Sequence, residues 1–243
     1  MTSAPPPDPL EPAAPDQVTD DTDLTSAALG HSLAVLGMIA FSELAAFSRL
    51  AADAAAAPSL DQRLELSRLA GVALDRLSRV GARVVELGGE LQPVMAPFAG
   101  VLVEFDLRTA PSTWGERLLK GYVGYGVSDD FGRIVAKALD PRTGDLVASV
   151  LSDEGHARFV VDSLAQAATA DATLASRLAL WGRRLVGEAL GVVQGVIADH
   201  PELADLLDLA MADAPGTGDV QQRLFSELTA EHSRRMERLG LTP

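Results

Sequence analysis

The sequence predicts an all-α protein, a four-helix bundle with additional C-terminal helices. Three observations predict it. Apolar residues recur at three- and four-residue spacing through most of the chain, and no run alternates with the period of two that a half-buried strand needs. Ala, Leu and Arg, all strong helix formers, are abundant. The breaks between periodic stretches carry helix caps, prolines and paired glycines.

Taken in order, residues 1–23 are rich in Pro, Ala and Asp with almost nothing to bury, which predicts a disordered tail. A first helix is expected from Thr25 to Ala56, stopped at Pro58. Leu36, Ile39, Ala40, Phe47 and Leu50 form its apolar face, with Glu43 among them. Ser59, with Gln62 three residues later, reads as a capping box opening a second helix to Leu87, which Gly88-Gly89 ends. Residues 90–111 hold Pro93, Pro97 and a short helix around Gly100 to Leu107, a crossover long enough to travel the length of a bundle. Ser112-Thr113 opens a third helix to Leu139, broken at Asp140-Pro141. The fourth helix has Leu146, Val150, Val160 and Leu164 on its apolar face. A largely apolar fifth, from Ala172 to Asp199, precedes a short segment at 201–212, a Gly-rich turn and an amphipathic helix from Asp219 to Leu239. The expected layout is a tail over 1–23, the bundle over 24–166, and C-terminal helices over 167–243 packed on it. Two hairpins joined by a long crossover is the ferritin-like connectivity.

Composition narrows the function. The chain has no cysteine, which excludes disulfides and thiolate chemistry. Its net charge is −14, and it remains acidic without the six carboxylates of residues 1–23, which opposes non-specific nucleic-acid binding. The N-terminus lacks the basic and apolar runs of a secretory signal. The longest greasy stretch, Leu33 to Phe47, contains Glu43 and is too short to span a bilayer. A cytoplasmic protein with no membrane contact is expected.

Asp153 and His156 are three residues apart, so one turn of a continuous helix presents both on the apolar side, between Val150 and Val160. Burying such a pair is costly unless a metal, an ion pair or a hydrogen-bond network offsets the lost hydration. Carboxylate-x-x-His is also the half-site of ferritin-like dimetal bundles. From about Leu33 to Leu164 the chain resembles the ferritin-like non-haem diiron tRNA hydroxylases (MiaE-like). The resemblance rests on Phe41-Ser42-Glu43-Leu44-Ala45, Ser67-Arg68-Leu69-Ala70, Ser128-Asp129-Asp130-Phe131 and Asp153-Glu154-Gly155-His156.

That resemblance implies metal ligands at Glu43, Asp129, Asp153 and His156, with Ala73 and Arg76 standing where the second helix would supply Glu and His. The helical pattern leaves open whether Asp129 or Asp130 faces the core. A methyl group cannot bind a metal, and Arg76 brings a permanent positive charge. The expectation is therefore a vestigial or weak dimetal site without a cofactor, in which Arg76 hydrogen-bonds to Glu43 or Asp153. Such a protein would act by binding a protein partner or a second copy of itself. The alternative is a non-haem iron-dependent hydroxylase of tRNA or a small molecule, its iron held by Glu43, Asp153 and His156. Arg68, Arg76, Arg79 and Arg83, with His232, Arg234, Arg235 and Arg238, are the basic residues a tRNA surface would use, set against the acidic remainder. His31, His200 and His232 read as solvated or capping groups, and Tyr122 and Tyr125 as core residues with tethered hydroxyls. Arg184 and Glu188 read as an ion pair beside Trp181, and Gly121, Gly124, Gly126 and Gly132 as points of close helix packing.

Overall fold

Two long helices, α1 (Thr19–Ala56) and α2 (Leu60–Glu86), fold back along each other and form the most extensive helix pair of the protein. The computed structural model of the chain describes residues 19–152, 154–212 and 217–243, without the side chains of 19–25 and of Gln166. The expected tail lies outside the described residues up to position 18, and α1 begins at Thr19 rather than at Thr25. Ser59 caps α2 by accepting from the Gln62 amide at 3.3 Å, but Gln62 Oε1 is buried without a hydrogen bond, so only half of the expected box is made. Gly88, at φ 78°, ends α2; the amides of Gly88 and Gly89 donate to the carbonyls of Val85 and Val84, the bond pair of a Schellman turn.

The crossover consists of α3 (Leu91–Met95), a 3-10 turn (Ala96–Phe98) and α4 (Val103–Arg108). A full capping box of Thr113 and Glu116 opens α5 (Trp114–Leu119). This helix continues without a break through a π-helical segment (Lys120–Gly124) into α6 (Tyr125–Ala136). The expected third helix is thus one rod with a π turn inside it.

The expected fourth helix is two. α7 (Pro141–Val150), capped by Asp140, stops at Leu151, and α8 (Glu154–Ala170) starts beyond it. The apolar period runs across the break, but the backbone bonding does not. The Leu151 carbonyl accepts from Arg133, and the Ser152 carbonyl accepts from Arg76 Nη2 at 2.6 Å. Two guanidiniums thereby satisfy carbonyls at the end of α7 that a continuing helix would have bonded. Asp153 itself lies outside the described residues, and so does its expected pairing with His156.

Three more helices follow: α9 (Ala172–Asp199), α10 (Pro201–Ala210) and α11 (Val220–Arg238). α1 packs on α2, α2 on α7, α7 on α6 and α6 on α1, which closes a four-helix ring. Against it lie α9, on α6 and α8, and then α10 and α11 on both α6 and α9. One apolar core runs through ring and additions alike, joining Leu36, Phe131, Leu185, Leu206 and Leu224. Over Ser26–Ala56, α1 is long and apolar enough by composition to cross a membrane (mean hydropathy 1.6), contrary to the expectation that its greasy stretch is too short. It nevertheless carries Glu43 and Asp53, both buried in the bundle.

Three arginines on α2 reach α7 and the residues at its ends. Arg79 donates to Ser149 Oγ at 2.8 Å, and Arg83 to Thr143 Oγ1 at 3.0 Å and Asp140 at 3.2 Å. With Arg76 on Ser152, these arginines at i, i+3 and i+7 tie the two helices together. Glu188 pairs with Arg108 at 3.5 Å rather than with Arg184. His200 stacks on Phe98 at 4.4 Å where α9 meets α10, and His31 lies 3.8 Å from Asp205.

Two buried features give direct predictions. A Cβ on Gly37 would stand 2.0 Å from the Val94 carbonyl oxygen, so α1 and α3 meet backbone to backbone there. Gly30, two turns earlier on the same helix, has nothing within 4 Å of the same position. Gly37→Ala is expected to destabilise by about 1–3 kcal/mol. Gly30→Ala is expected to be neutral or to stabilise by up to about 1 kcal/mol, both read from urea unfolding.

His232 is 2% exposed, and neither ring nitrogen is hydrogen-bonded, against its expected place as a solvated or capping group. Burial first, and the nearby Arg235 second, push its pKa from 6.5 down to about 4. Between those values the unfolded chain holds a proton that the folded chain refuses, so stability falls as pH drops through that window. The loss amounts to a few kcal/mol at most. Unfolding temperatures measured between pH 7 and pH 4 should show His232→Leu losing less stability than the parent chain.

Candidate functional site

The site begins on the buried face of α1, where Ser42, Glu43, Ala46 and Arg49 recur at helical spacing. Leu69, Val72, Ala73 and Arg76 face them from α2 at the same period, and the rod α5–α6 contributes Gly121, Tyr125, Ser128 and Asp129. His156 enters from the first turn of α8, 5% exposed. Together they enclose a chamber of about 50 Å³. Glu43, Ala73, Arg76, Asp129 and His156, all picked out from the sequence, therefore line one cavity.

The pair of adjacent aspartates divides cleanly. Asp129 lines the chamber. Asp130 turns away and is clamped by Arg235, Nη1 to Oδ2 at 2.6 Å and Nη2 to Oδ1 at 2.7 Å, with Arg133 also on Oδ1 at 2.7 Å. This bidentate pairing fixes α11 on α6. It also uses Arg235, one of the basic residues considered for a tRNA surface, while Arg234 pairs with Glu231 on its own helix.

Gly121 is what lets the walls meet. A Cβ there would lie 2.6 Å from Arg49 Nη1 and 3.2 Å from His156 Cε1. Gly124 and Gly132 make comparable approaches to Phe105 and Ile39, and Gly126 to Arg235, so the four glycines do serve close packing. Tyr125 forms the chamber floor. Its hydroxyl donates to Asp106 at 2.6 Å, and burial, then that carboxylate, push its pKa well above the usual phenol range. Lys120, 6% exposed, reaches the same Asp106 at 2.7 Å and lies over the Phe105 ring.

Arg49 is the chamber residue that sequence reasoning missed. Its guanidinium sits 4.6 Å over the Tyr125 ring and 3.8 Å from Asp53, whose other oxygen Arg117 holds at 2.8 Å. The signal was an arginine on an otherwise apolar stripe, with Asp53 four residues on.

Two further cavities adjoin the chamber. A cleft of about 340 Å³ between α6, α8 and α11 shares Gly121, Asp129 and His156 with it. On the other side, an apolar slot of about 30 Å³, walled by Phe41, Phe98, Phe131 and Val193, shares Ser42, Leu102 and Ser128.

Among the described residues, which leave out Asp153, the donor set does not fit a dimetal centre. Among the described residues no three carboxylate or imidazole groups come close enough together to hold a metal ion. Ala73 offers only a methyl group, and two guanidiniums, Arg49 and Arg76, line the chamber beside the remaining donors.

No curated protein matches the chain. A family model described as a ferritin-like domain of actinomycetes matches residues 31–209, beyond the stretch 33–164 that carries the sequence resemblance and as far as α10. A closed ring of four helices with a crossover after the first hairpin, and a match over most of the length, lead to one conclusion: the chain belongs to the actinomycete ferritin-like domain family.

Proposed function

We propose that this chain is a non-catalytic member of the ferritin-like fold, related to the diiron tRNA hydroxylases, in which a guanidinium–carboxylate network occupies the place of the metals. It acts by binding, in the cytoplasm, a partner or a second copy of itself. The observation that carries this reading is the presence of Arg49 and Arg76 in the same small chamber as Glu43, Asp129 and His156. A divalent cation about 4 Å from one guanidinium meets a repulsion of about 8 kcal/mol at an effective dielectric of 20. The two arginines together disfavour metal more strongly than the loss of two ligands alone.

Other observations support the same reading. Arg76, Arg79 and Arg83 are engaged with α7, and Arg235 with Asp130, which leaves little of the basic stripe to meet a phosphate backbone. One feature favours the second reading, an iron-dependent hydroxylase: three of the four ligands that the family resemblance implies, Glu43, Asp129 and His156, share a chamber that adjoins a cleft of about 340 Å³.

Metal analysis of protein expressed with added iron and manganese, and purified without chelator, decides between them. The expected result is substoichiometric metal, unchanged by His156→Ala. Two irons per chain would sink the proposal. In the same assay, the triple variant Arg49→Ala, Ala73→Glu, Arg76→His is expected to gain metal, because it removes both cations and restores both donors.

A further inference from the structure

The chamber has a polar end and an apolar end, and one cation in it lacks hydrogen bonds. Arg49 Nε and Nη1 are both buried, and neither makes a hydrogen bond. Buried donors left in this state point to a water or an anion that completes them. The ion pairing of Arg49 points the same way. Asp53, 2% exposed, lies between Arg49 and Arg117, and its closer contact is with Arg117. Arg49 is therefore held by a long ion pair and by the Tyr125 ring, with buried donors left open beside the chamber.

We propose that the chamber binds a short-chain monocarboxylate, with its carboxylate on Arg49 and its alkyl tail in the apolar slot. Ser42 and Ser128 stand at the junction of the two cavities and offer hydroxyl donors to the carboxylate. Beyond them Phe41, Phe98 and Phe131 wall a space with little polar surface, which suits methylenes. Size sets the class. The chamber's 50 Å³ takes about four water-sized groups and the slot's 30 Å³ about two or three. Butyrate and valerate fall in that range. A dianion is disfavoured, since Glu43 and Asp129 line the same chamber. The inference rests on the proposed reading that guanidiniums, not metals, occupy the chamber.

The test is calorimetric titration of the full-length chain with the sodium salts of acetate, propionate, butyrate and valerate, with n-butanol and n-butylammonium as size-matched probes. One-to-one binding of butyrate is expected, with a rise in unfolding temperature that grows with its concentration. Affinity should climb by about fourfold per methylene from acetate to butyrate. Butanol and butylammonium should bind far more weakly. Arg49→Met, which keeps the stem over Tyr125 but not the charge, should weaken butyrate by about tenfold to a hundredfold. Absence of butyrate binding, equal binding by Arg49→Met, or preference for the ammonium probe would each overturn the proposal. The series on the unmodified chain decides the matter if that variant does not fold. Metal content of the same sample separates the two failures. A metal-poor chain that ignores butyrate overturns the carboxylate site alone, whereas stoichiometric iron overturns the non-catalytic reading as well.

Discussion

Everything around the chamber depends on the charges that α1 takes into the core. A helix apolar enough to cross a membrane carries Glu43, Arg49 and Asp53 on one buried or half-buried face. None of these groups is tolerated there without an answer from another helix. Asp53 is answered by Arg117 of α5, and Arg49 is covered by Tyr125 of α6. The neighbours of α1 are thereby specified by charge as well as by shape, and this accounts for polar residues in a core that is otherwise Leu, Val and Ala.

The same logic holds further out. α2 is fastened to α7 by three arginines whose acceptors are a backbone carbonyl, two hydroxyls and a carboxylate. α11 is fastened to α6 by the bidentate pair of Arg235 and Asp130. These contacts orient helices more than they stabilise them, because each cation loses hydration nearly equal to what it gains. Stability comes from the apolar core that runs unbroken from Leu36 to Leu224.

Much of this was legible in the sequence. The apolar stripe of α1, the glycine pair after α2, the Thr113 cap and the Asp140-Pro141 break all report local physics and lie where expected. Five of the site residues could be grouped because the family resemblance aligns them with one site, while helical spacing alone left Asp129 and Asp130 undecided. What stayed hidden depends on distant partners. The break after Val150 is invisible to periodicity, since Leu146, Val150, Val160 and Leu164 keep a helical period while Arg133 and Arg76 take the carbonyls between. His232 was misread although Leu224, Leu228 and Met236 share its stripe, because a histidine near a chain end suggests solvent. Arg49 was overlooked because a lone arginine in a greasy helix looks like a solvated tip until Asp53 and Tyr125 are set beside it.

The π turn at Lys120–Gly124 carries a consequence for the choice between neighbouring aspartates. A π turn holds one residue more than the α turn it replaces, so it sets back the phase of everything downstream by about 100°. The capped start at Thr113 fixes the rod's first half, and the extra residue alone sets which side of its second half looks inward. Were the rod regular throughout, the inward positions now held by Tyr125, Ser128 and Asp129 would fall to Gly124, Val127 and Ser128. The aromatic floor beneath Arg49 would be lost, the chamber would lose its aspartate, and Asp129 would take the place against α11 that Asp130 now holds. The insertion of a single residue thus assigns one aspartate to the interior chamber and its neighbour to the architecture.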